Sequence, residues 1–254
     1  MRDTIMYSFS NDSQGSKLVA GALGVKRMLH EGSTWIPSNK KVVINWGCGG
    51  DIPGVCYRAG RLINHPEAVM RIINKATFFD ECRAEPKKAP RVPQFTNSPA
   101  EAKGWLQAGH IVLARTILEG ARGDGIVVMK SALDFVPARL YTMYIDKDAE
   151  YRIHVVNGKM VFKQQKIWDE ETPRKNPYVR NRENGFILIT KVRPVEQDAI
   201  DQSIKAVKFF GLDFGAVDVV VLDDVAYVLE INSAPWMDAA SAEAYADELK
   251  EMCA

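Results

Sequence analysis

The stretch from Gly215 to Pro235 limits most what this chain can fold into: Gly-Ala-Val-Asp-Val-Val-Val-Leu-Asp-Asp-Val-Ala-Tyr-Val-Leu-Glu-Ile-Asn-Ser-Ala-Pro. Two β-branched runs, Val217 to Leu222 and Val225 to Ile231, flank Asp223-Asp224, the pattern of a β-hairpin with an acidic turn. Each run carries polar residues among apolar ones, Asp218 in the first and Glu230 followed by Asn232 in the second. A carboxylate buried without a partner is costly, so a strand keeps one mainly where a cation or a hydrogen-bond network neutralises it. Alternate strand positions share a face, which puts Glu230 and Asn232 together, and pairing can bring Asp218 opposite them. Three hard oxygen donors on one face suit a magnesium ion that keeps waters and phosphate oxygens. The same pattern also describes a solvated hairpin with its acids on the open face.

The rest of the composition narrows the class. A chain of 254 residues is long enough for one large domain or two to three small ones, and 46% apolar with 26% charged residues is ordinary for a globular protein. The formal net charge of +1 provides no global field for nucleic acid or an anionic membrane, so a polyanion has to be met by a local basic patch. Cys48, Cys56, Cys82 and Cys253 have no close spacing of the zinc or redox type, and reduced thiols are expected. The start, Met-Arg-Asp-Thr-Ile, lacks the apolar core of a signal peptide, and no segment reaches 18 consecutive apolar residues, so a soluble, cytoplasmic protein is expected.

Along the chain, Ile5, Tyr7 and Phe9 mark a short strand, followed by the polar run Ser10 to Ser16 and an amphipathic helix from about Lys17 to Leu23. A Ser- and Asn-rich loop before a helix N-terminus offers free N–H groups to an anion, and it equally describes a plain turn. Lys41 to Gly47 reads as a buried strand entering the turn Gly47-Cys-Gly-Gly50, a second candidate for a substrate wall because open α/β sheets bind ligands at the carboxyl ends of strands. Asn64-His-Pro-Glu-Ala68 opens a helix capped by Asn64 or His65 that continues through Ala76 to about Cys82, with Lys75 toward its far end. A subdomain boundary falls between about 55 and 65, and 83–93 is a loop. Ser98-Pro-Ala-Glu101 has capping-box spacing and starts a helix through Leu106.

Ile111 to Met129 reads as strand, glycine-rich turn, strand, with Gly120, Gly123 and Gly125 able to take positive φ and let N–H groups approach a phosphate. Many hairpins have glycine tips as well. Leu140 to Ile145 is a strand. Glu150 to Val156 and Lys159 to Lys166 flank Asn157-Gly158, a hairpin signal, with Glu150, Arg152 and His154 as a polar stripe on one face. The segment 169–185 is a basic loop that suits a phosphate or carboxylate, or a solvated surface. Arg193 to Phe210 is an amphipathic helix ended by Gly211, and a last helix runs from Ser241 to Met252.

The order of these pieces from Asn64 to Trp236 resembles the ATP-grasp superfamily, in particular its glutamate-ligase-like branch of carboxylate–amine ligases. Asn74-Lys75 resembles the family's Asp-Lys, Arg115 stands where the family's second phosphate lysine does, and Glu119-Gly-Ala-Arg-Gly-Asp-Gly125 resembles its phosphate-covering loop. Tyr141 to Ile145 corresponds to the hinge strand that meets adenine. Glu150-Tyr-Arg152 resembles Asp-Tyr-Arg, Lys166 takes the place of a closing arginine, and Arg180-Asn181 resembles the pair at the substrate end. Gly211-Leu-Asp-Phe through Asp218, then Glu230-Ile-Asn232-Ser-Ala-Pro-Trp236, resembles the metal hairpin, with Trp236 where glycine is common.

The resemblance implies an α+β ATP-grasp fold: a short α/β region over 1–64, a small lobe over 65–140 and a large lobe over 141–254, clasping ATP between the lobes. It implies ATP and one or two Mg2+ as cofactors. Asp218, Glu230 and Asn232 would be metal ligands, and Arg152, Lys166 and Arg180 catalytic. Lys75, Arg115, Gly120, Gly123, Gly125, Tyr141, Met143, Tyr144 and Ile145 would form the nucleotide site. The implied reaction joins a carboxylate to an amine through an acylphosphate, with small molecules or a peptide as substrates. Nucleic acid and membrane are not indicated. Substrate selection would draw on the 169–185 loop and the N-terminal region, where Asn11, Ser13, Asn45 and Trp46 are candidates. A non-catalytic nucleotide-binding scaffold and a ligase or kinase acting on a macromolecule are the alternatives.

Overall fold

The computed structural model describes residues 3–50, 52–120, 123–173, 175–191 and 194–254. Five short elements open the chain: β1 (Thr4–Ser8), α1 (Gln14–Leu23), β2 (Lys26–Met28), β3 (Val42–Trp46) and β4 (Arg61–Ile63). The strands form a parallel sheet in the order β2-β1-β3-β4. Helix α1 starts earlier than its apolar pattern suggests, because the Ser13 side chain accepts from the Ser16 N–H and closes the first turn. Cys48, Cys56, Cys82 and Cys253 are unpaired in the fold.

Next come α2 (Pro66–Ile73) and α3 (Lys75–Ala84). The single helix expected here is broken at Asn74. Its backbone is extended (ψ 117°), and its side-chain oxygen accepts from the N–H groups of Ala76 and Thr77, ending one helix while capping the next. Lys75 therefore stands at the first position of α3 and not near the far end of a longer helix. His65 caps α2, while Asn64 takes φ 56° and clamps Asp213 and Phe214 through both ends of its side-chain amide.

The middle of the chain supplies β5 (Phe95–Thr96), α4 (Pro99–Gln107), β6 (Val112–Arg115), β7 (Ile126–Met129) and β8 (Leu140–Met143), an antiparallel sheet in the order β5-β8-β6-β7. Ser98 caps α4, but Glu101 does not close the capping box: its carboxylate accepts from the Thr96 hydroxyl at 2.6 Å. The largest sheet follows, built from β9 (Ala149–Val156), β10 (Lys159–Trp168), β11 (Phe186–Ile189), β12 (Phe214–Leu222) and β13 (Val225–Asn232) in the order β11-β10-β9-β12-β13, all neighbours antiparallel. Helix α5 (Gln197–Phe209) precedes β12, and α6 (Ala239–Met252) closes the chain. The start expected for α5, Arg193, lies outside the described residues. Both expected hairpin turns carry positive φ at both central positions, Asn157-Gly158 and Asp223-Asp224.

The two faces of the large sheet differ in chemistry. Tyr151, Ile153 and Val155 of β9 and Val217, Val219 and Val221 of β12 face an apolar core shared with α2, α3 and α5, where Phe78 stacks on Phe210 at 4.8 Å. The segment expected as one small lobe thus divides its burial: α2 and α3 pack in the large sheet's core, and Ala102, Trp105, Val112 and Tyr141 form a core around the four-stranded sheet. The opposite face of β9 carries Glu150, Arg152 and His154, the polar stripe. One residue in β13 decides its partner's orientation. Asp218 pairs with Glu230 but Val219 pairs with Val228, so Leu229 is an extra residue, a β-bulge. Ala226 and Val228 point into the core, and without the bulge strict alternation would send Glu230 and Asn232 there too.

Beyond the stripe, Trp46, Phe214 and Tyr245 meet at centroid distances of 5.2–5.9 Å and join the parallel sheet to the large sheet and α6. His154 is buried here, its Nδ1 against the Tyr245 hydroxyl and its Nε2 against Gln164 Oε1, both at 3.2 Å. Burial pushes its imidazole down to about 4. The folded state therefore refuses a proton that the unfolded chain accepts below about pH 6.5. This contribution is complete above pH 6.5 and is lost as the pH falls toward 4, with an upper bound of about 3 kcal/mol. Urea unfolding at a series of pH values is expected to show a steeper loss of stability between pH 6.5 and 4 in the wild type than in His154→Gln. Equal slopes would contradict the assignment.

Candidate active site

Glu150, Arg152 and Asp218 lie side by side because β9 and β12 pair Arg152 with Asp218 and Val220 with Glu150. Arg152 grips Asp218 with both prongs, Nε to Oδ1 at 2.7 Å and a terminal nitrogen to Oδ2 at 2.9 Å. Lys166 reaches across from β10 to Glu150 Oε1 at 2.5 Å and Asp218 Oδ2 at 3.6 Å. On Glu150 Oε2, Lys147 approaches to 3.4 Å and Arg180 to 4.0 Å. Burial opposes ionisation of both acids, but the charges of Lys166 and Lys147 carry Glu150 below its usual range, and Arg152 and Lys166 do the same for Asp218. Burial likewise opposes the charged form of Lys166, and Glu150 and Asp218 outweigh it to raise its value.

A second group faces this one from other elements. Lys75 sits 3.6 Å from Glu230 Oε2 and donates to the Gly120 carbonyl at 2.9 Å. Its own N–H donates to Leu118, and Asn74 donates to Glu119, so the break between α2 and α3 is tied to the entrance of the glycine loop at three points. Asn232 donates to Glu230 Oε1 at 3.3 Å, which sets the two oxygen-bearing groups next to each other. Arg115 is buried, its Nε has no hydrogen-bond partner among the described residues, and Glu230 offsets part of the burial that lowers its pKa.

In the loop, Gly123 and Gly125 take φ of 83° and 70°, and a Cβ on Gly125 would lie 2.6 Å from the Ile117 nitrogen. Gly120 does not need positive φ; its role in the fold is the carbonyl offered to Lys75. Ala121 and Arg122 lie outside the described residues. A Cβ on Gly123 would meet Val179 at 2.7 Å, so the glycine loop lies against the basic loop that carries Arg180. At the hinge, the Tyr141 ring is packed in the small sheet's core, with its hydroxyl accepting from Ala138 N–H and donating to the Val136 carbonyl. The N–H groups of Met143 and Tyr144 donate to Gln94 and Ile111, and Ile145 lies just past the strand.

Lys147 is the side chain that reading the sequence missed. Asp146-Lys-Asp-Ala149 reads as a charged turn, yet the Lys147 side chain is only 6% exposed, lies over the Tyr144 ring at 4.9 Å and points at Glu150. The N-terminal candidates fare differently. Ser13 is a helix cap, Asn45 bridges Cys48 and the Asn64 carbonyl, and Trp46 is fully buried, so these three are structural, while Asn11 is exposed.

Six cationic side chains (Lys75, Arg115, Lys147, Arg152, Lys166 and Arg180) thus surround three carboxylates, Glu150, Asp218 and Glu230. The excess positive charge in a partly buried site suits a polyanion such as a nucleoside triphosphate. Among the described residues no three His, Cys, Asp or Glu side chains form a metal cage. Glu230 and Asn232 supply adjacent hard oxygens, with Asp218 opposite but held by Arg152. That open set fits magnesium, which takes one or two carboxylates and fills its shell with water and phosphate.

Comparisons with known proteins bear on the fold. No protein-family model matches the chain. The solved ATP-grasp ligase PsnB, complexed with a minimal precursor, superposes with a TM-score of 0.71 over 99% of both chains at 14% identity. The D-alanine–D-alanine ligase of Bacillus anthracis gives 0.68 over 100% of this chain and 97% of its own at 15% identity. The chain has the ATP-grasp fold. Among curated proteins, the probable alpha-L-glutamate ligase of Parasynechococcus marenigrum is 24% identical over 231 residues, covering 73% of this chain and 48% of that protein. The ATP-grasp chain spans between a third and a half of the length of the first such relatives.

Removing one partner of a buried ion pair leaves the other charge stranded, whereas replacing both by apolar groups is often close to neutral. Arg152→Leu is expected to lower stability by about 3–5 kcal/mol, and the double change with Asp218→Leu to recover most of that loss. Denaturant midpoints of the single and double variants check this. An additive loss in the double variant would contradict it.

Proposed function

We propose that this ATP-grasp chain is an ATP-dependent carboxylate–amine ligase that forms an amide through an acylphosphate, releasing ADP and phosphate. The observation that carries the reading is the excess of cations around Glu150, Asp218 and Glu230 where the glycine loop, the hinge and the β12–β13 hairpin converge. Glu230, Asn232 and Asp218 would hold one or two Mg2+, which, when bound with ATP, supply charge neutralisation at the transferring phosphoryl group.

The chain's own residues account for the remaining needs of such a reaction. Phosphoryl transfer depends on positioning and electrostatic stabilisation more than on covalent help from the protein. Lys75 and Arg115 bring positive charge from the loop side, and Arg152, Lys166 and Arg180 from the sheet side. Arg115, in place of a lysine, offers a planar fork able to hold two oxygens of one phosphate. Gly120, Gly123 and Gly125 present backbone without side chains and shield the reacting centre from water. The hinge would meet adenine at the peptide of Ile145, since the N–H groups of Met143 and Tyr144 are already donated to the carbonyls of Gln94 and Ile111, and Tyr141 contributes backbone only. The substrates are a small carboxylate and amine, or a peptide in one of these roles.

Glu230→Gln keeps the shape of the side chain and removes its charge. In a phosphate-release assay run over a broad set of carboxylates and amines, this variant is expected to lose substrate-dependent ADP release by ~100-fold or more while keeping the wild-type circular dichroism spectrum. Retained ADP release in the folded variant would contradict the metal assignment.

A further inference from the structure

On one face of the parallel sheet, Ile5, Tyr7 and Met28 pack in a small core with Trp35, which comes from the segment between β2 and β3. Toward the amino ends of β1 and β2 this core gives way to a cavity of about 560 Å³, with Ile5, Trp35 and Ile36 in its wall beside Asp3, Lys26 and Lys41. A cavity of that size accepts a small organic molecule. It lies apart from the charged row. The carboxyl end of β1 is the end that meets the chain after the hairpin, since Phe9 and Ala234 both lie against Gly47. The cavity is at the other end, a strand length of about 13 Å away.

The wall carries two amines and one carboxylate. Lys41 meets Asp3 at 2.8 Å and lies over the Trp35 ring at 5.5 Å. Asp3 is largely exposed, and an ion pair of this kind is worth at most about 1 kcal/mol, so Lys41 remains open to a second anion. Lys26, opposite Ile5 in the β1–β2 register, has no acidic partner among the described residues. The indole nitrogen of Trp35 is buried without a hydrogen-bond partner among the described residues, a donor that lacks an acceptor. A cationic ligand would meet two like charges and a ring that Lys41 already covers. An anion finds the surplus charge, and its body finds Ile5, Trp35 and Ile36, the last 74% exposed. We propose that this cavity is a second ligand site, for a small monocarboxylate with an apolar body. Its carboxylate pairs with Lys26 and Lys41, and its body lies against Trp35 and Ile36. The proposal stands independently of the ligase reading.

The test is NMR of the full chain with its tryptophans labelled at the indole nitrogen, the Trp35 signal being assigned from Trp35→Phe. Phenylacetate and phenethylamine, one ring with opposite charges, are the probes. Phenylacetate is expected to move the Trp35 signal in a saturable way with a Kd of about 1 mM or tighter, and phenethylamine to bind at least about tenfold more weakly. The phenylacetate titration is expected to be the same with and without ADP and Mg2+. Lys26→Gln and Lys41→Gln are each expected to weaken phenylacetate by about fivefold or more while the circular dichroism spectrum stays that of the wild type. Four results would overturn the proposal: a Trp35 signal that does not move, equal affinity for the two probes, unchanged affinity in both folded variants, or displacement of phenylacetate by ADP and Mg2+. Movement confined to the Trp46 or Trp236 signals would place the probe at the other end of the sheet and would overturn it as well.

Discussion

Everything around this site depends on neutralising carboxylates that the large sheet buries. Asp218 and Glu150 are 5% and 3% exposed in adjoining strands, and neither can be ionised there without a cation in contact. At an effective dielectric of about 20, opposite charges near 3 Å attract by about 5 kcal/mol, comparable to the several kcal/mol lost in desolvating each ion. The Arg152–Asp218 fork is therefore weak as a source of stability and strong as a constraint on register. Sliding β9 by one residue against β12 would put Arg152 into the apolar core and Tyr151 into the charged row.

From that constraint the site follows. Once the acids are held by Arg152, Lys166 and Lys147, the additional cations Lys75, Arg115 and Arg180 leave positive charge to spare, contributed by different elements. Lys75 joins two of them, since it touches both Glu230 of the hairpin and Gly120 of the glycine loop. The loop's position is thus coupled to the charge at the hairpin. Among the described residues no helix is long and apolar enough to cross a membrane.

Much of this was legible in the residues because local chemistry and global fold agree. Asn157-Gly158 and Asp223-Asp224 are turn pairs whose conformation follows from their own type, and the alternation of Glu150, Arg152 and His154 is a direct consequence of strand geometry. What stayed hidden depends on distant partners. The break at Asn74 reads as helix locally, since its extended backbone is favoured by contacts of the 74–75 junction with Leu118, Glu119 and Gly120. The bulge at Leu229 leaves no composition signal, yet it turns Glu230 and Asn232 away from the apolar core, which alternation alone does not provide. Lys147 looked like a turn residue and is buried against Glu150, while Asn45 and Trp46 looked like site residues and are packing and hydrogen-bond anchors.

The proposed function requires the charged row of the large sheet, faced by Lys75 and Arg115, to receive the phosphates of a nucleotide. The most direct measurement is a crystal structure of the chain with Mg2+ and a non-hydrolysable ATP analogue. The expected result is terminal phosphates within hydrogen-bond reach of Lys75, Arg115 and Lys166, with the metal on Glu230 and Asn232. Phosphates bound away from these residues, or a metal coordinated without Glu230, would contradict it.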